Sequence, residues 1–176
     1  MKYGLITGFI IIIIHLLFYF ITGKLNSAET YAGTATLLAL AISLYYFGRQ
    51  YRNEFSPQYF SYGAAFKVSF LTGLFASILV AFFFYIFCKY NPEIIKQFLL
   101  ETQKALEVSG IAEDDVETMI KMLQNMMTAG FIAFSYLLSE TIRTLFISLF
   151  IAIFNKKTLT GNNSGMSQFD RDMSKI

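Results

Sequence analysis

Four long apolar runs separated by short polar stretches organise the sequence. They cover residues 3–21, 31–47, 68–88 and 131–154. A helix needs roughly 20 apolar residues to cross the hydrocarbon of a bilayer. The second run is the shortest, yet it carries no charge, and the third is the cleanest. The pattern predicts an all-α integral membrane four-helix bundle, with residues 1–157 as a single membrane domain. The first run is too long for the apolar part of a typical signal peptide. The one cleavage candidate, Asn26-Ser27-Ala28, lacks a small residue at the earlier position, so a retained helix is expected.

The long connection between the third and fourth runs has a different period. Asn91-Pro92-Glu93 combines a capping residue, a proline for the first helical position and an acid for the first turn. Ile94, Ile95, Phe98, Leu99, Ala105 and Leu106 then recur at helical spacing until Ser109-Gly110. A second helix is expected from about Glu113, with Val116, Met119, Ile120, Leu123 and Met127 on its apolar face. Residues 91–127 therefore predict an amphipathic helical hairpin. Its second helix is expected to run on into the fourth span, bending at Gly130. The acidic polar face disfavours tight binding to anionic lipid, so packing on the end of the bundle is expected ahead of a lid or partner-binding role. Residues 158–176 lack periodicity and are expected to form a disordered cytoplasmic tail.

Small residues repeat every fourth position in all four runs, as they do where membrane helices pack closely. The stripes are Gly4 and Gly8; Ala35, Ala39 and Ser43; Ala65, Ser69, Gly73, Ser77 and Ala81; and Thr144, Ser148 and Ala152. Each serves either packing within the chain or a dimer face.

Composition and charge then restrict function. The chain is 55% hydrophobic and 15% charged, against about 25% charged for an ordinary soluble domain. A net charge of +2 gives no footprint for nucleic acid. One cysteine, Cys88, excludes an intramolecular disulfide and a multi-cysteine metal site. With one histidine and no clustered nucleophiles, neither an enzyme, a metal site nor a cofactor is expected. Lys2, Arg49, Arg52, Lys67, Lys156 and Lys157 fall on one side of a four-span topology, opposite Lys24 and the acid-rich connection. Both termini are therefore expected in the cytoplasm, in a multi-pass protein of the inner membrane. Tyr45, Tyr46, Tyr51, Tyr59 and Tyr62 supply an interfacial belt in a chain without tryptophan.

The informative exceptions to this apolar pattern are Glu140 and Arg143 in the fourth run and His15 in the first. Ionisable groups inside a membrane are costly and usually face a bundle interior or a water path. Glu140 lies four residues before Thr144, on the same stripe, and His15 continues the spacing of Gly4, Gly8 and Ile11. At about 1.5 Å per residue, His15 and Glu140 lie at similar depth, and Arg143 lies near the midplane. The expectation is an inward-facing cluster in which Glu140 pairs with Arg143 and His15 bonds across the bundle. Such a cluster serves equally as a structural ion pair or as a protonatable site.

Several short segments add a resemblance. They are Tyr3-Gly4-Leu5-Ile6-Thr7-Gly8, Gly48-x-x-Tyr51-Arg52, Ser61-Tyr62-Gly63-x-Ala65-Phe66-Lys67, Ser109-Gly110 and Ser148-Leu149-x-x-Ala152-Ile153 before Lys156-Lys157. In this order and spacing the chain resembles the bacterial integral-membrane family filed as domain of unknown function 4199. The resemblance implies a four-span inner-membrane protein and supplies no activity. Family members often carry Pro and Gly after an acid in the last span, where this chain has Thr141-Ile142-Arg143-Thr144, so no role for Arg143 is implied. The expectation is a non-enzymatic membrane protein assembling with itself or another membrane protein. A small transporter or channel using Glu140, Arg143 and His15 is the alternative.

Overall fold

The computed structural model describes residues 2–23, 31–110 and 112–157. Within them the chain forms six helices and no strand: α1 (Lys2–Thr22), α2 (Ala32–Phe55), α3 (Tyr62–Tyr90), α4 (Pro92–Val108), α5 (Glu113–Met126) and α6 (Ala129–Asn155). The Ile-rich stretch of α1 would suit a strand in water. A helix satisfies every backbone group within its own segment, which an apolar surrounding demands. The expected tail, 158–176, and Lys24 lie outside the described residues.

α1, α2, α3 and α6 pack together, and α4–α5 forms a hairpin at one end. α1 neighbours α2 and α3, while α6 neighbours α3 and α2. The order around the group is thus α1, α2, α6, α3, and α1 and α6 face each other diagonally. Contacts at one end fix the direction of each helix. Tyr3 Oη donates to Glu54 Oε2 at 2.9 Å, and Arg52 Nη1 donates to the Asn155 carbonyl at 3.1 Å. Phe60 and Lys157 exchange two backbone hydrogen bonds of 2.9 and 2.8 Å. The start of α1, the end of α2, the start of α3 and the end of α6 therefore meet, and successive helices of the group are antiparallel. The same end collects Lys2, Arg49, Arg52, Lys67, Lys156 and Lys157.

The outside of the group is apolar. Phe9 and Ile13 on α1, Ile78 and Phe82 on α3, and Phe134, Phe146 and Phe150 on α6 are all exposed. By length and composition α1, α3 and α6 are long and apolar enough to cross a membrane. α2 is not among them, in contrast to the expected four spans. Its apolar part ends at Phe47, short of the roughly 20 residues a crossing needs, and Arg49, Arg52 and Glu54 follow in the same helix.

Glycines set the closest approaches. A Cβ on Gly4 would lie 2.6 Å from Phe75 Cβ and 2.8 Å from the Thr72 carbonyl oxygen of α3. One on Gly8 would meet Leu79 and Ala76. Gly73 faces Thr144, and Gly48 faces the Asn155 amide, each too closely for any side chain. On α2 the buried line is Ala32, Thr36, Leu40, Leu44 and Gly48, with Ser43 beside it. Ala35 and Ala39 are only half-buried, so the expected stripe lies one residue off the packed line.

The hairpin differs from expectation at both ends. Asn91 Nδ2 donates to the Phe87 carbonyl at 2.9 Å, so its side chain closes the end of α3 and does not cap α4. α5 does not continue into α6. The chain breaks at Met127–Thr128, where Thr128 Oγ1 accepts from Phe131 N at 3.2 Å and caps α6, leaving Gly130 inside its first turn. Gly110, at φ 78°, makes the turn between α4 and α5. Ile94 and Ile95 pack against the core of the group, while Val116 and Ile120 are buried under α4 and Met119 is exposed.

Candidate functional site

The buried side of α6 reads Glu140, Thr144, Ser148, Ala152, Asn155. A four-residue step rotates a helix by little more than one turn, so these positions form one nearly straight line, and Tyr136 extends it at the other end. Gly73 on α3 faces Thr144. Because α3 and α6 are antiparallel, a step of four on each sets Ser77 level with Glu140 and Ser69 level with Ser148. Ala65 and Ala152 fall level in the same register and share one buried cluster with Phe60.

Glu140 is 6% exposed and accepts an ion-pair hydrogen bond from Arg143 Nη1 at 2.6 Å. The Arg143 side chain is 36% exposed. Both residues belong to α6, so this pair neutralises charge but ties no two helices together. The tie across the interior is the bond of 3.0 Å between His15 Nε2 and Tyr136 Oη. His15 therefore bonds to Tyr136, and not to Glu140 or Arg143 as the sequence led us to expect. Phe84 completes the group, with its ring 4.3 Å from Tyr136 and edge-on to His15 at 5.1 Å. Removing the phenol by Tyr136→Phe leaves a second buried His15 nitrogen without a partner. The expected loss is about 1–2 kcal/mol, read as a lowered unfolding midpoint in mixed micelles, whereas Tyr85→Phe on the exposed side of α3 changes little.

Toward the basic end the line runs into a second polar node. Asn155 is fully buried; its Nδ2 donates to the Leu44 carbonyl at 3.4 Å, and its own carbonyl accepts from Arg52. The Asn155 amide crowds the bare face of Gly48, and Ser69 Oγ lies beside it at ordinary contact distance.

Among the described residues, five buried side-chain polar atoms have no hydrogen-bond partner: His15 Nδ1, Ser69 Oγ, Thr144 Oγ1, Ser148 Oγ and Asn155 Oδ1. Thr144, Ser148 and Asn155 lie on the line itself, Ser69 faces it from α3, and His15 meets its Tyr136 end from α1. Thr7, Thr36 and Ser77 are buried too, yet each donates to a carbonyl of its own helix. The group of His, Cys, Asp and Glu side chains that a metal would need is absent among the described residues.

The sequence pointed to Glu140, Arg143 and His15 but missed Tyr136 and Asn155. Tyr136 lies four residues before Glu140, so extending the stripe one step would have found it. Asn155 sits just past the expected end of the span, where a polar residue reads as a helix cap.

No curated protein and no solved structure matches the chain. Residues 2–157 match the family described as "Protein of unknown function (DUF4199)", and the chain belongs to that family.

Proposed function

We propose that the protein is a four-span, non-enzymatic component of a bacterial inner membrane, with both termini cytoplasmic, that acts by assembling with a second membrane polypeptide. Arg143 carries this reading. Its side chain is one-third exposed, although it sits near the middle of α6 and its pairing to Glu140 is internal to that helix. A guanidinium partly open to lipid at mid-depth costs several kcal/mol unless a polar partner covers it. Another copy of this chain, or a different membrane protein, supplies that cover. Although its apolar part is short, α2 counts as the fourth crossing in this reading because it packs between α1 and α6 in the same antiparallel group, and Leu37, Leu38, Ile42 and Tyr46 present an apolar outer face like those of its neighbours. The six cations gathered at one end support the orientation.

The test is cysteine cross-linking in native membranes. Ser139 lies one turn before Arg143 and is exposed. Ser139→Cys is expected to give cross-linked products larger than the monomer, and Phe82→Cys, on the outer face of α3, is not. Monomer alone at position 139 would overturn the assembly. A second reading, a small transporter or channel built on Glu140, Arg143 and His15, draws on a separate observation, the unpartnered atoms along the polar line.

A further inference from the structure

We infer that the outward flank of α5 is a thioether site for a soft monovalent metal ion, Cu(I) or Ag(I), built from Met119, Met122 and Met126. The site stands beside the assembly proposed above and does not depend on it.

The first observation is the distribution of methionine. The chain has seven, and none falls in the four apolar runs, where Phe, Leu and Ile supply the apolar surface. Four of the seven fall within 119–127. Methionine is thus not a general apolar filler in this chain. Its concentration on one helix calls for something that phenylalanine and leucine do not provide, and a polarisable sulfur is that difference.

The second observation is placement. α5 buries Val116 and Ile120 under α4, whereas Met119, Met122 and Met126 stay out of that contact at 44%, 63% and 54% exposure. Residues three, four and seven apart share one helix face, so the three side chains stand in a line beside the packed side. Successive members of the line are about 5–6 Å apart at Cβ, and the unbranched, flexible side chains let each sulfur swing toward a common ion. Asp115, exposed and four residues before Met119, extends the line with a carboxylate that attracts a cation. The single cation of α5, Lys121, lies on the other flank, where its Nζ donates to Glu117 Oε1 at 2.6 Å. There Lys121 and Glu117 line a groove between the two helices together with Gln103, Glu107 and Gln124. No cation of α5 therefore opposes an ion at the methionines.

The donor set selects the ion. Thioethers are neutral and soft, and they suit Cu(I) over hard or borderline divalent ions. Zinc and calcium are held by His, Cys and carboxylate groups, and among the described residues three or more such side chains nowhere gather to hold one. Binding is a ligand exchange: the ion sheds water, sulfur lone pairs take its place, no bond within the protein breaks and no electron moves. The hairpin links the end of α3 to the start of α6, so the site lies at the end of the helix group away from Lys2, Arg52 and Lys157.

The test uses the full chain in lipid nanodiscs with isotope-labelled methionine methyl groups, titrated with silver nitrate and followed by NMR. One equivalent of Ag(I) is expected to shift the resonances of Met119, Met122 and Met126 and to leave those of Met1, Met166 and Met173 in place. The same amount of Zn(II) is expected to shift none of them. Competition with a chromophoric Cu(I) chelator under anaerobic, reducing conditions then gives the affinity. Replacing all three residues, by Met119→Leu, Met122→Leu and Met126→Leu, keeps the apolar bulk and the helix propensity. It is expected to weaken Cu(I) binding at least about tenfold, a loss already typical of changes behind a metal's direct ligands. Met127→Leu, half-buried just past the end of α5, is expected to leave the affinity unchanged. Unshifted resonances at Met119, Met122 and Met126 in excess Ag(I), an equal response to Zn(II), or wild-type Cu(I) affinity in the triple variant would each overturn the site. The last result would leave the three methionines as an apolar contact surface only.

Discussion

Glu140→Gln with Arg143 left in place is expected to destabilise the protein by about 3 kcal/mol, the lower end of the cost of breaking a buried ion pair. The lower end applies because only one member of the pair, Glu140, is buried, while Arg143 is one-third exposed. The substitution preserves shape and a hydrogen-bond acceptor but strands a guanidinium in an apolar setting. Changing both residues, Glu140→Gln with Arg143→Met, removes the stranded charge, and its stability is expected to return to within about 1 kcal/mol of wild type. Reversible unfolding in mixed micelles gives the full double-mutant cycle. If the double variant were as unstable as Glu140→Gln alone, the pair would not be a self-contained neutral unit within α6. The cycle also bears on assembly, since the double variant is expected to lose the cross-links formed from position 139 while remaining folded.

Gly73→Leu is expected to separate α3 from α6. The first carbon of any side chain at 73 meets Thr144 Cγ2, part of a fully buried, β-branched residue that has nowhere to turn. Overpacking of this kind costs about 1–3 kcal/mol in soluble cores, and a leucine at the tightest point of the largest helix interface falls at or above the upper value. The smaller change, Gly73→Ala, is expected to cost about 1–2 kcal/mol and to be rescued by Thr144→Ser, which removes the obstructing methyl. Gly63→Ala is the control: nothing lies within 4 Å of a Cβ there, and the change is expected to stay within about 0.5 kcal/mol of wild type. Failure of the Thr144→Ser rescue would mean that the contact at 73 is not the one limiting the approach of the two helices.

The helices and the inward faces of α1, α3 and α6 were legible because each carries one dominant line of small residues. Gly4 and Gly8 on α1, Ser69, Gly73 and Ser77 on α3, and Thr144, Ser148 and Ala152 on α6 are all buried. α2 offers two lines of comparable quality. The line ending at Gly48 is the buried one, because Asn155, more than a hundred residues away, occupies the space a side chain at 48 would fill. No local period carries that information. The partner of His15 was hidden for a similar reason. An aromatic residue in an apolar run looks lipid-facing, and only the diagonal placement of α1 and α6 brings Tyr136 to the imidazole. The ends of α4 and α5 were misjudged through competition between neighbours: Asn91 serves the helix before it, and Thr128 caps the helix after it.

In the proposed membrane setting, the position of Glu140 and Arg143 on a single helix also bears on how the chain is inserted. Their bond spans one turn and forms as soon as that turn is wound, with no other helix in place. During synthesis α6 is the last of the described helices to emerge, and it can leave the insertion machinery already neutralised. The His15–Tyr136 bond, by contrast, joins the first helix to the last and waits for the whole group to close. Insertion and closure are thereby separated: the charges are dealt with at entry, and the polar contact between α1 and α6 records that packing of the described helices is complete.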